Sequence, residues 1–177
     1  MNGSVLEIAC GTGYWTQFIA PVASRVLAID SAPETLAIAR SRVHDEKVRF
    51  DVGDAYALPS HHGLFQAVFA GFWFSHVPRQ RWGEFLRGVS KCLRPHGKVV
   101  FLDNTYVEGS SSPITGEDSE GNTYQTRHLR NSATYQVLKN FPSEAEVSKA
   151  LADVGRAIRY THWEYYWAIE YTIVATR

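Results

Sequence analysis

The feature that most restricts the fold is an alternation of short apolar runs with helical patterns through the first hundred residues. Residues 4–9 (SVLEIA) read as a strand, then a glycine loop, then a helix from about Tyr14. Residues 25–29 (RVLAI) are a second strand. Ser31 and Glu34 have capping-box spacing, and Pro33 suits a first turn, so a helix is expected to start there. Residues 48–52 form a third strand. Residues 65–70 (FQAVFA) form a fourth, apolar almost throughout, as a strand covered on both faces should be. A helix over about 78–93 places Phe85, Leu86, Val89 and Leu93 on one face; Pro95 and Gly97 end it, and 98–102 is the fifth strand. Strand–helix–strand repetition implies right-handed crossovers and a parallel sheet.

The texture changes after Asp103. Residues 105–122 are rich in Ser, Gly, Thr and acid, have no period, and read as a loop. Residues 124–129 and 134–138 alternate around Arg130-Asn131-Ser132, the pattern of an inserted hairpin. Ser143 and Glu146 form a second capping box, with Gly155 where that helix should stop. Residues 158–163 and 167–175 read as an antiparallel pair. The expectation is one domain over 1–177, with 105–140 an insertion lying over the active edge of the sheet.

Composition excludes several classes. Of 177 residues, 45% are hydrophobic, ample for a core, so disorder is not a reading. Lys plus Arg equals Asp plus Glu at 18 each; no basic field exists to hold a phosphate backbone. No apolar stretch approaches a membrane span and no signal peptide opens the chain. The two cysteines, Cys10 and Cys92, lack metal or disulfide-framework spacing, which fits a reducing cytoplasm. His61-His62 reads as an exposed turn, and no metal site is expected. The oligomeric state is left open.

Three polar features fall at consecutive strand ends. In Glu7-Ile8-Ala9-Cys10-Gly11-Thr12-Gly13 the glycines let backbone approach a ligand, and the following helix start favours a carboxylate. Taken singly, such a loop serves equally well as a tight connection. Asp30, ending the second strand about 20 residues on, suits ribose hydroxyls; read blandly, it is a helix-start acid. Asp54, in Gly53-Asp54-Ala55, suits an adenine amino group; read blandly, it is a turn residue. Together they place ligand contacts where such sheets bind ligands.

These segments carry a resemblance. Residues 5–13 (VLEIACGTG) resemble the first motif of class I S-adenosylmethionine-dependent methyltransferases. Residues 26–30 (VLAID), 53–55 (GDA) and 93–99 (LRPHGKV) resemble their second motif, their third, and the approach to their fifth strand, in order and at usual spacing. The resemblance implies an α/β, Rossmann-like three-layer sandwich. Its seven-stranded sheet would be mostly parallel with an antiparallel last strand, and the hairpin would be inserted after the fifth. It implies S-adenosylmethionine as cofactor. Glu7, Ala9, Gly11 and Gly13 would line its methionine end, Asp30 the ribose, and Asp54 with Ala55 the adenine. Tyr14, Ser31 and Gly71 would be neighbouring contacts. Two departures stand out: Ala9 where glycine is usual, and Gln66 where an acid often opens the fourth strand. Family members also carry helices before the first strand. This chain starts just ahead of that strand, so cover is expected from elsewhere, or the chain is truncated and its acceptor pocket open.

Residues 71–76 (GFWFSH) follow the fourth strand, beside the expected sulfonium. Phe72, Trp73 and Phe74 are candidate walls of an acceptor pocket, with core packing as the competing role for at least one. Trp15 reads as core. Tyr160, Trp163, Tyr165, Tyr166 and Trp167 read mainly as packing of the terminal strand pair. Arg127, His128, Arg130 and Lys139 are candidate holders of an anionic acceptor, a solvated hairpin surface being the bland reading for most; Arg130 is kept as a substrate candidate. His76 is the one titratable side chain in its segment and the candidate general base. Its bland roles are starting the next helix, packing on Trp73, or merely hydrogen-bonding the acceptor. The expected function is methyl transfer to a small molecule. One rival is an NAD-dependent oxidoreductase, opposed by Tyr14, Trp15 and Thr16 where a dinucleotide fingerprint wants a further glycine. The other is an inactive cofactor-binding module.

Overall fold

A computed structural model describes residues 3–58, 65–128 and 134–174. The strands of the main sheet are β1 (Ser4–Ile8), β2 (Arg25–Asp30), β3 (Val48–Val52), β4 (Phe65–Gly71), β5 (Leu93–Asn104), β9 (Gly155–His162) and β10 (Tyr166–Ile173). They lie in the order β3-β2-β1-β4-β5-β10-β9. Strands β1 to β5 pair in parallel, and β10 runs antiparallel to both β5 and β9. The chain therefore steps outward from β1 to β3, returns to β4, and steps outward the other way. The strand order reverses between β1 and β4, and the crevice at the carboxyl ends beside such a reversal is where open α/β sheets take ligands.

Alternation along the strands feeds two apolar layers. Leu6, Ile8, Leu27, Ile29, Val68 and Phe101 face helices α3 (Trp82–Cys92) and α4 (Glu144–Leu151), burying Phe85, Leu86, Val89, Val147 and Leu151. Val5, Val26, Ala28 and Ala67 face α2 (Pro33–Arg42), through Leu36 and Ala39. The α/β sandwich and the seven-stranded sheet with its reversed strand are as expected. The Ser143–Glu146 capping box forms, with Glu146 N donating to Ser143 Oγ and Ser143 N to Glu146 Oε2.

Several local expectations need correction. The Ser31–Glu34 box does not form: the N-cap of α2 is Ala32, with no side-chain cap, and Asp30 instead accepts from Ala32 N and Thr35 Oγ1. The helix after the glycine loop is only Thr16–Ile19 (α1), followed by a 3-10 turn that contains Pro21. Strand β5 starts at Leu93 rather than 98, because the Pro95–Gly97 stretch bulges: Phe65 pairs with Leu93 but Ala67 with Lys98. Residues 105–122 are not wholly loop. Gly116–Glu117 (β6) pairs with Thr123–His128 (β7), which pairs with Thr134–Leu138 (β8), in a separate three-stranded sheet. Two paired residues leave no periodicity to read. The turn at 130–132, Arg130 included, and His61-His62 lie outside the described residues.

Candidate functional site

The crevice is built on backbone. Cys10 N donates to Ile29 O (2.9 Å) and Gly13 N to Cys10 O (3.0 Å), folding the loop back over β1. Ala9 has φ 53° and Gly11 φ 54°. At Gly11 an added Cβ would meet nothing within 4 Å, so the loop presents bare backbone to open space. Ala9 pays for the same left-handed turn with roughly 1–2 kcal/mol of strain, being an L-residue. Beneath the loop, Glu7 is 1% exposed and accepts from Thr16 Oγ1 at 2.6 Å. Burial pushes its carboxyl up to about 7, against the lowering effect of the Thr16 bond.

Asp30 fills the helix-start role that its position allowed. Oδ2 accepts from Gly11 N (2.8 Å); Oδ1 accepts from Ala32 N (2.9 Å) and Thr35 Oγ1 (3.2 Å). It ties the loop to the start of α2 and stays half-exposed at the crevice. Ser31 beside it is exposed. Asp54 is exposed at the next strand end, accepting from Tyr56 N at 2.8 Å, while Ala55 is buried. The guanidinium of Arg81 stacks 3.5 Å over the Tyr56 ring and closes that flank.

On the β4 side, Gly71 admits the Trp15 indole: an added Cβ would stand 2.7 Å from Trp15 Nε1. Trp15 is half-buried at the crevice floor rather than in the core, among Tyr14, Phe18, Phe69 and Phe72. Its buried Nε1 has no acceptor among the described residues. Tyr14 is 53% exposed. Phe72 has φ 59°, a second strained non-glycine residue at the site. Phe74 is withdrawn as a pocket wall: it is fully buried and stacks on Phe101 at 5.4 Å. Phe72 and Trp73 stay half-buried; Phe72 lies 5.9 Å from Tyr166 and Trp73 lies 6.3 Å from Tyr56. Of the terminal aromatics, Trp167 is fully packed, Tyr160 is half-buried, and Trp163, Tyr165 and Tyr166 are exposed.

His76 closes a 3-10 turn, Phe74–His76. Its Nδ1 lies 2.7 Å from Leu138 O. A carbonyl only accepts, so Nδ1 carries the proton and Nε2 is left with a lone pair. Burial first, and then the Lys139 charge, lower its pKa below the ordinary 6.5, so the ring is neutral at pH 7.

The sequence reading missed the polar core beside it. Lys139 is not on a solvated hairpin surface. It is 5% exposed and donates to Ser75 Oγ (2.7 Å), Asp103 Oδ1 (2.9 Å) and Asn104 Oδ1 (3.0 Å). Asp103 is fully buried and also accepts from Ser75 N. Asn140 and Arg79 extend the seam, binding Val77 O and Asn122 Oδ1 respectively. One signal was available: Asp103 nears the end of β5 as Asp30 ends β2.

A model of the methyltransferase domain family matches residues 5–97, more than half of the chain. The chain belongs to the S-adenosylmethionine-dependent methyltransferases. A probable S-adenosylmethionine-dependent methyltransferase of Mycolicibacterium smegmatis is 32% identical over 80% of this chain and 52% of its own length. A demethylmenaquinone methyltransferase of Lactococcus lactis is 29% identical over 58% of this chain and 42% of its own. The chain thus spans about half the length of these curated relatives. The DhpI–SAH complex structure superposes with a TM-score of 0.78 at 28% identity, covering 95% of this chain and 75% of that one. This family takes its methyl group from S-adenosylmethionine. Among the described residues no helix of this methyltransferase domain is long and apolar enough to cross a membrane.

The site fits that cofactor on its own chemistry. Bare backbone at Gly11 and the unpartnered Trp15 N–H offer room and a donor to an amino-acid carboxylate. Asp30 and Asp54 offer acceptors to hydroxyl and amino donors.

Proposed function

We propose that this chain transfers a methyl group from S-adenosylmethionine to a small-molecule acceptor. The observation that carries the reading is the placement of the loop, Asp30 and Asp54 at the carboxyl ends of adjacent strands β1, β2 and β3, next to the β1/β4 reversal. Gly11, Gly13 and the Trp15 N–H would hold the methionine end, with Tyr14 above and the Glu7 carboxylate beneath. Asp30, beside Ser31, would hold the ribose, and Asp54 with Ala55 the adenine. When bound, S-adenosylmethionine supplies an electrophilic methyl on a cationic sulfur. Phe72 and Trp73 form the wall on which an acceptor is lined up, and alignment supplies much of the rate. His76, neutral with Nε2 free, can take a proton from an acceptor that must lose one. Zero net charge argues for a small acceptor over nucleic acid. The free, buried Cys10 and Cys92 support a cytoplasmic location.

The test is S-adenosylhomocysteine release from radiolabelled S-adenosylmethionine across a panel of small acceptors. Turnover with at least one supports the reading. Cofactor binding without turnover on any acceptor would favour an inactive binding module.

A further inference from the structure

A cavity of about 230 Å³ lies between the inserted three-stranded sheet and the carboxyl end of β5. Its lining includes Asn104, Ser110, Ser111, Arg127, Lys139 and Tyr166. Tyr166 packs 5.9 Å from Phe72, the residue after Gly71. Lys139 follows Leu138, whose carbonyl fixes His76. The cavity's lining thus reaches Phe72 through Tyr166, and its Lys139 is next in sequence to the residue that holds His76.

Its two cations differ. Lys139 is matched by the buried carboxylate of Asp103. Arg127 is not matched: its guanidinium donates to Ser112 Oγ (2.8 Å) and Gln125 Oε1 (2.9 Å), both neutral, and no carboxylate pairs with it among the described residues. Two of its five N–H donors are so used, leaving a fixed, unneutralised fork that matches an oxyanion. Ser111 Oγ accepts from Val107 N, which leaves its own O–H to donate. Neutral anchors hold the cation in place before any ligand arrives, which lowers the cost of ordering it on binding.

We infer that the acceptor of the methyl-transfer reading, on which this rests, carries an oxyanion head group (phosphate, phosphonate or carboxylate) seated on Arg127 in this cavity. The head group anchors the acceptor while its nucleophile reaches past Tyr166 and Phe72 toward the methyl donor.

The probes are inorganic phosphate, methylphosphonate and acetate. Each is titrated into the protein with and without saturating S-adenosylhomocysteine and followed by NMR on arginine Nε–Hε resonances. At least one probe should saturate and shift the Arg127 resonance; preference for phosphate and methylphosphonate over acetate, or the reverse, names the head group. Arg127→Gln should weaken that probe about tenfold or more and leave S-adenosylhomocysteine affinity unchanged. Lys98→Gln is the control, because Arg94, His96 and Lys98 line a separate cavity at the opposite end of the sheet; it should leave probe affinity unchanged. No probe shifting Arg127, or a loss that follows Lys98→Gln instead, overturns the inference. Failure of S-adenosylhomocysteine to bind would overturn the underlying reading, while the probe titrations still decide the anion site.

Discussion

The two halves of the crevice are built by different means. On the β1–β3 side the polar groups are backbone N–H groups and carboxylates with shorter reaches along the chain: Asp30 bonds Ala32 and Thr35 beside it and, 19 residues away, Gly11. On the β4–β5 side they are buried side chains joined over long separations, with Lys139 on Ser75, Asp103 and Asn104, and His76 on Leu138. Asp30 and Asp103 stand near corresponding strand ends, yet one is half-exposed and the other is fully buried against a lysine. Local bonding leaves Asp30 and Asp54 accessible at the strand ends; the long-range network is sealed and holds the inserted sheet in place.

The largest effect should come from the sealed side. Asp103→Ala leaves Lys139 buried without its carboxylate, so urea unfolding should show a loss of about 3–5 kcal/mol. Asp54→Ala, at an exposed turn, should change stability by roughly 0.5 kcal/mol or less. Equal losses would erase the distinction between the two sides.

Next is Glu7. Its folded pKa of about 7 lies above the ordinary 4.5, so the folded state binds its proton more tightly than the unfolded state. That contribution is full below pH 4.5, declines as pH rises, and is gone above pH 7. Glu7→Gln cannot ionise and keeps an acceptor for Thr16. It should exceed the wild type by up to about 3 kcal/mol at pH 8, at about 1.4 kcal/mol per pKa unit, and match it near pH 4.5. A pH-independent difference would mean that the carboxyl titrates normally.

The contrast between the halves also explains what could be read from the sequence. The strands of the first hundred residues, and the placing of the glycine loop, Asp30 and Asp54 at strand ends, follow from segments of about ten residues or fewer, where apolar period, glycine and acid are adjacent. The Asp103–Lys139 pair spans 36 residues and Ser75–Lys139 spans 64. Lysine in an alternating run reads as solvent-facing until the sheet it packs on is known. Phe74 was misplaced for a related reason: three aromatics in a row do not say which faces the core, and the 3-10 turn at Phe74–His76 decides it. The Ser31–Glu34 spacing is one residue out of phase: α2 begins at Pro33 with Ala32 as N-cap, so Ser31 lies outside the helix start.

A subtler effect concerns His76. Its pKa is lowered by burial, Lys139 and Arg127, and raised by the Leu138 bond and Asp103. If it is the base, the kcat/KM profile should fall on the acid side below pH 6.5, and His76→Asn should remove that limb while retaining cofactor affinity. A profile unchanged in the variant would assign catalysis to positioning alone.

The smallest effect is at Ala9. Glycine there relieves the left-handed strain and loses some chain-entropy advantage, so Ala9→Gly should stabilise by about 0.5–1 kcal/mol in the same unfolding assay.

The central claim is that the open, locally bonded edge is the S-adenosylmethionine site, and calorimetric titration with S-adenosylhomocysteine tests it most directly. Wild type should bind. Asp30→Ala should bind more weakly by roughly 1.5–3 kcal/mol, the scale of a hydrogen bond to a charged group, or about tenfold to a hundredfold. Asp30→Asn, which keeps one acceptor oxygen for the loop, should fall between them, and NADH should give no heat. Equal affinity in wild type and Asp30→Ala, or NADH binding with none for S-adenosylhomocysteine, would contradict the account.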